Sequence, residues 1–166
     1  LKFFATYFIL FAIYSSYLKR TQNTDVFKCS PITELVANQS KIALEWFGYQ
    51  VKTVQHSEEL SVFIALDGNF VGKIVEGCNS ISLIILFVAF IIAFSGSLKS
   101  TLLYLFLGSL FIYTINIIRI VFLCIMLYKY PEQEYFLHKL VFPAIIYGAI
   151  FLLWVLWVNK FSNYKK

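Results

Sequence analysis

A thiol, a guanidinium and an imidazole stand near the ends of three different apolar runs. Cys78 lies in Val75-Glu76-Gly77-Cys78-Asn79-Ser80, the last polar turn before a run that begins at Ile81. Arg119 is the single charged residue in the next run, and His138 opens a third. A charged side chain within a membrane span is costly and is a functional candidate by default. A thiol attacks as its thiolate, which a neighbouring guanidinium or imidazolium favours. An imidazole can take the thiol proton and return it to a leaving amine. A guanidinium stays protonated, so its work is electrostatic: it can hold the thiolate and the oxyanion of a tetrahedral intermediate. Together the three groups specify acyl transfer through a thioester. Asn116, one turn before Arg119 on the same helical face, could donate to that oxyanion or orient the arginine. Glu76 could pair with Arg119 or orient His138, and Asn79 is a supporting neighbour of the thiol.

Each residue also has a plainer reading. Cys78 could be an inert buried thiol or the disulfide partner of Cys29, and Arg119 could reach lipid phosphates. About ten apolar residues separate Arg119 from Lys129, which favours function for the arginine. His138 could be an interfacial histidine, Asn116 an interhelical hydrogen-bonding residue, and Glu76 a solvated carboxylate. Cys124 reads as packing and His56 as a solvated side chain. Three cysteines and two histidines without metal-ligand spacing give no disulfide scaffold, no metal site and no cofactor.

The elements that must position these groups are membrane helices. The 166 residues are 60% hydrophobic and 14% charged, with a mean hydropathy of +0.75. A water-soluble domain of this size could not hide that much apolar surface. The expectation is an all-α integral membrane protein, a bundle of about four spans near residues 3–18, 79–98, 100–128 and 140–158. The first run is short and the chain starts at Leu1, so the extreme N-terminus is expected to be missing. Residues 19–78 are more polar and form an extracytoplasmic insert. Ser30-Pro31 predicts a helix start, and apolar residues recur at helical spacing up to Gly48. Residues 61–66 and 70–75 are β-prone and flank Asp67-Gly68-Asn69, which predicts a hairpin.

Charge supplies the topology. Lys2, Lys99, Lys160, Lys165 and Lys166 occupy segments without acids, and all nine acids fall in residues 19–78 and 129–139. Positive-inside reasoning places both termini and Lys99 in the cytoplasm. Cys78 and His138 then lie at the outer starts of their spans, and Arg119, about 28 Å up a straight helix from Ser100, lies near the outer boundary. Inverting the whole protein would still leave the three groups on one side. The net charge of +5 is dispersed, with no basic patch of interleaved aromatics, so nucleic acid is not an expected partner.

Glu76-Gly77-Cys78-Asn79, then Asn116-Ile117-Ile118-Arg119, then His138 ahead of the last span, resemble the exosortase/archaeosortase family, in particular its short XrtF-labelled members. The resemblance covers nearly the whole chain. It implies a membrane cysteine transpeptidase in the cytoplasmic membrane with its site facing outward. Its substrates would be exported proteins that carry a C-terminal tail of short motif, hydrophobic helix and basic cluster. Carried across, Cys78 is the nucleophile, Arg119 the electrostatic stabiliser and His138 the acid/base. Many members place Gly two residues after the cysteine, where this chain has Ser80. The chain is shorter than typical exosortases, which suggests a minimal core aided by a partner in the membrane. The rival readings are a non-catalytic subunit that pairs Arg119 with an acid in a partner helix, and a transporter component. No intramembrane acid or discontinuous-helix pair supports the latter.

Overall fold

The computed structural model describes residues 1–22, 28–94 and 96–161, with Glu134 and His138 described by their backbone alone. The element order is α1 (Lys2–Thr21), α2 (Pro31–Trp46), β1 (Val51–Gln55), β2 (Ser61–Leu66), β3 (Asn69–Val75), α3 (Ile81–Ala93) and α4 (Leu98–Lys129). A single turn, α5 (Glu134–Phe136), then runs through a π-helical stretch, Leu137–Val141, into α6 (Phe142–Lys160).

The helices α1, α3, α4 and α6 pack on one another, with α3 in contact with the other three. Phe87 and Ile91 of α3, Ile112 of α4 and Ile146, Ile150 and Trp157 of α6 form one apolar core. Gly108 makes the α3–α4 approach possible. A Cβ there would stand 2.3 Å from the ring of Phe87, which is fully buried. At the far end from Cys78, Trp157 Nε1 donates to the Phe94 carbonyl at 2.8 Å, and Tyr104 Oη donates to the Leu153 carbonyl at 2.7 Å. Large apolar side chains such as Phe8, Ile13, Leu102, Phe106, Phe151 and Leu152 point outward. An outside this apolar calls for lipid rather than water.

The stretches Leu98–Lys129 and Lys139–Lys160 are long and apolar enough to cross a membrane. The second expected span is shorter than its apolar run. Ser80 turns left-handed before α3, and α3 ends at Ala93, so its 13 residues rise only about 20 Å. By contrast, the 32 residues of α4 rise about 48 Å, beyond the roughly 30 Å hydrocarbon core.

The overhanging end of α4 is where the insert docks. Val36 and Leu44 of α2 and Ile64, Leu66 and Ile74 of the sheet share a core with Ile120, Val121 and Cys124 of α4. Tyr113 Oη ties α4 to α2 by donating to Gln39 Oε1 at 2.6 Å. The helix stops as expected near Gly48, and its other face exposes Leu35, Ile42 and Trp46. The hairpin forms around Asp67-Gly68, whose φ values of 50° and 83° are the pair of positive angles that a type I′ turn requires. The insert holds one strand more than expected. Val51–Gln55 pairs antiparallel with β2, so the sheet is three-stranded in the order β1-β2-β3, with a bulge between Ile64 and Ala65.

Candidate active site

Cys78 ends a 3-10 turn, Glu76–Cys78, that joins the last residue of β3 to the start of α3. The turn is fastened on both sides of the thiol. Before it, the Glu76 carboxylate accepts from Ser30 N at 2.6 Å, Ser30 Oγ at 2.8 Å and Thr33 Oγ1 at 2.6 Å. Glu76 therefore caps the N-terminus of α2, where a carboxylate meets free amides and the positive end of the helix dipole. Ser30 is the residue before α2, as the sequence predicts, but its hydroxyl donates to Glu76 and does not cap the helix itself.

After the thiol, Asn79 is buried and its amide is fully used. Nδ2 donates to Tyr14 Oη at 2.8 Å and to Thr33 Oγ1 at 3.2 Å, and Oδ1 accepts from Ile81 N at 3.2 Å. One side chain thus joins α1, α2 and the first turn of α3. Ser80 has φ 64° and ψ −6°, and its hydroxyl donates to the Asn79 carbonyl at 2.6 Å. This left-handed position is the place where the resembling proteins carry Gly. Only Gly takes such angles without a Cβ penalty.

On the facing helix, Asn116 Nδ2 donates to the backbone carbonyl of Cys78 at 2.8 Å, and Asn116 is buried. Arg119, three residues on, lines a cleft with the half-buried Cys78. The cleft runs between β3 and the C-terminal part of α4, and its walls include Ile74, Ile120, Leu123 and Leu127. Two polar atoms here are buried without a hydrogen-bond partner among the described residues: Arg119 Nε, a donor, and Asn116 Oδ1, an acceptor. Unmet buried donors and acceptors are costly, so such a pair beside a thiol is suited to meeting a ligand.

The backbone of His138 lies in the π-helical stretch that leads into α6. Phe142, one turn later, packs edge-on against Phe122 of α4 with ring centroids 5.9 Å apart, and Phe122 follows Arg119 by three residues. The segment that carries His138 is therefore at the Arg119 end of α4. The His138 side chain lies outside the described residues.

Two expectations change. Glu76 does not pair with Arg119, since its oxygens accept from Ser30 and Thr33, and the expectation that it orients His138 falls on a side chain outside the described residues. Asn116 holds the nucleophile's backbone from below, and none of its hydrogen bonds reaches Arg119. Cys29 and Cys78 are both free thiols. Cys29 is buried against Gln55, whose Nε2 lies 3.5 Å from its sulfur, and burial pushes the Cys29 thiol up. Tyr14, Ser30 and Thr33 had no signal in the sequence as partners of this turn, since their contacts close over 43 to 65 residues. Gly72 and Lys73, which also line the cleft, could have been suspected because β3 runs straight into Cys78.

The sequence matches the family model described as transmembrane exosortase (Exosortase_EpsH) over residues 2–158. No curated protein and no solved structure gives a match.

Proposed function

The chain belongs to the transmembrane exosortase family, and from that premise we propose that it is a sorting cysteine protease and transpeptidase with Cys78 as nucleophile. The reading rests above all on one arrangement. Cys78 and Arg119 line the same cleft, Arg119 Nε is buried without a partner among the described residues, and Asn116 holds the Cys78 carbonyl.

In the proposed reaction, Cys78 Sγ attacks the scissile carbonyl of a C-terminal sorting signal and its proton passes to His138. Arg119 bears on the negative charge that moves from sulfur to the carbonyl oxygen, where a fixed cation has its largest effect. Collapse breaks the C–N bond, His138 returns the proton to the leaving amine, and the client is held as a thioester. An acceptor hydroxyl, amine or water then attacks the thioester and frees the thiol. Holding Cys78 by its own carbonyl fixes the backbone from which the thiol projects while the substrate arrives, which is the contribution expected of Asn116.

In this proposal α1, α3, α4 and α6 are all embedded in the cytoplasmic membrane, with the insert and the Cys78 cleft outside. The clients are exported proteins anchored by a C-terminal helix, so that the bond to be cut arrives at the depth of Cys78. Its XrtF-like pattern fits a catalytic core that works with a partner protein in the membrane. Replacing Cys78 by Ala tests the enzyme reading against a purely assembling subunit. Loss of client processing is expected with the protein level in the membrane unchanged. Normal processing by C78A, with loss on Arg119→Ala, would favour the assembling subunit.

A further inference from the structure

The cleft that holds Cys78 does not end there. A second, more open cleft is lined by Phe63, Phe70, Val71, Gly72, Lys73, Leu127 and Pro131. The two share Val71, Gly72, Lys73 and Leu127, so one groove runs from Cys78 and Arg119 to the outer end of α4. Between them the clefts touch every residue from Phe70 to Ile74. Side chains of a strand alternate between its faces, so a cleft over one face meets every second residue. Val71 is the extra residue of the bulge opposite Ile64 and Ala65, so alternation breaks there and the clefts border successive residues of β3. β3 is an edge strand of the sheet. At its middle, Gly72 carries no side chain, and a Cβ there would meet nothing within 4 Å.

We propose that the edge of β3 is the client-docking element, and that the client's extended segment ahead of its membrane helix adds to the sheet as a fourth strand. The inference rests on the proposed reaction at Cys78 and names how its substrate is held. The occupant is an extended peptide because the groove borders an edge strand that is open at Gly72, and an exposed strand edge is recognised by another strand. Phe70 to Val75 spans about 17 Å at 3.3 Å per residue, room for a segment of about five or six residues. The charged groups that line the groove are Lys73, already paired with Glu59, and Arg119, whose charge suits a neutral or acidic segment at the Cys78 end.

The direction of the strand follows from the fold. β3 runs from the Asp67-Gly68 turn to the membrane end at Cys78, after which the chain enters α3. A client that descends from its exported domain to a C-terminal helix runs the same way, so the added strand is parallel to β3. Parallel pairing uses the amides of alternate residues, and the side chains between them fall on the two sides of the edge. One set meets the apolar walls at Val71, Ile74 and Ile120, and the other meets Phe63 and Phe70.

The test uses the full-length protein in phosphatidylethanolamine–phosphatidylglycerol vesicles. The probe is a synthetic library of eight randomised residues ahead of a twenty-residue Leu-Ala helix and three lysines. A cleaved member is then resynthesised with one N-methylated peptide bond at each position in turn. The expected result is a period-two pattern over the residues before the cut, each sensitive position raising KM about fivefold for a lost main-chain hydrogen bond. Gly72→Leu should raise KM at least tenfold, while the rate at which iodoacetamide alkylates Cys78 stays that of the parent protein. Cys78-dependent cleavage without the period-two pattern, or unaltered by G72L, overturns docking on β3 and leaves the reaction standing. Failure of Cys78 to cleave any member overturns both.

Discussion

Glu76 offers the sharpest perturbation, because sequence and structure give it different work. Placed two residues before the thiol, it invites a role in the chemistry; its contacts make it a fastener between α2 and the Cys78 turn. In Glu76→Ala, Ser30 N and the Ser30 and Thr33 hydroxyls lose their acceptor. The two hydroxyls are 3.2 Å apart and can bond to each other, so one amide and one hydroxyl proton remain unmet. At about 1–3 kcal/mol for each of the two unmet buried groups, plus about 0.5 kcal/mol for the lost charge at the start of α2, the loss is about 2.5–6.5 kcal/mol. Glu76→Gln keeps an acceptor for Ser30 N, and the hydroxyls can turn to accept from the amide. Only the charge assistance goes, about 1–2 kcal/mol. Denaturant unfolding in detergent micelles gives these differences, with alkylation of Cys78 by iodoacetamide as a second readout. The expected order of stability is parent, E76Q, E76A, with Cys78 reactive in all three while they are folded. If E76Q were as stable as the parent and yet inactive on client, Glu76 would belong to the reaction, and the fastener account would fail.

Gly108→Ala should cost about 1–3 kcal/mol in the same unfolding measurement, because the new Cβ meets a Phe87 ring enclosed by three helices; an unchanged midpoint would mean that α3 and α4 pack less closely. Ser80→Gly removes a left-handed penalty of about 1 kcal/mol and loses one hydroxyl bond of similar size. It should be near neutral, whereas Ser80→Val, branched at the same angles, should cost about 2 kcal/mol or more. The buried Cys29 thiol ionises less readily than an ordinary thiol. Because its folded value is raised, it adds stability fully below the unfolded thiol range, and this is lost as pH rises through the folded value. Cys29→Ala should therefore flatten the fall in stability above about pH 9, and an identical alkaline profile would refute the assignment.

How much was legible follows from how local each signal is. The Asp67-Gly68 turn, the start of α2 at Pro31 and its stop near Gly48 are set by residues within a turn of the feature, and all three appear in the fold. β1 was missed because Val-Lys-Thr-Val-Gln alternates over only five residues, and its pairing with β2 supplies the rest. The shortened α3 was missed because hydropathy follows side chains, while the helix start is set by the backbone of Ser80 and the buried amide of Asn79. At the site, side chains of the right chemistry could be named from the sequence. Their partners could not, because Glu76 meets Ser30 across 46 residues and Asn79 meets Tyr14 across 65. The cleft itself has no sequence signal beyond the strand that leads into Cys78.

The central claim is that Cys78 carries the client as a thioester. Client-bearing membranes incubated with the full-length protein and quenched in acid should yield, on digestion, a Cys78 peptide whose mass is raised by the C-terminal residues of the cut client. Hydroxylamine should remove that adduct, and Cys78→Ser should not form it. A client cut in the C78S membranes, or an adduct on Cys29 or Cys124 in its place, would contradict the account.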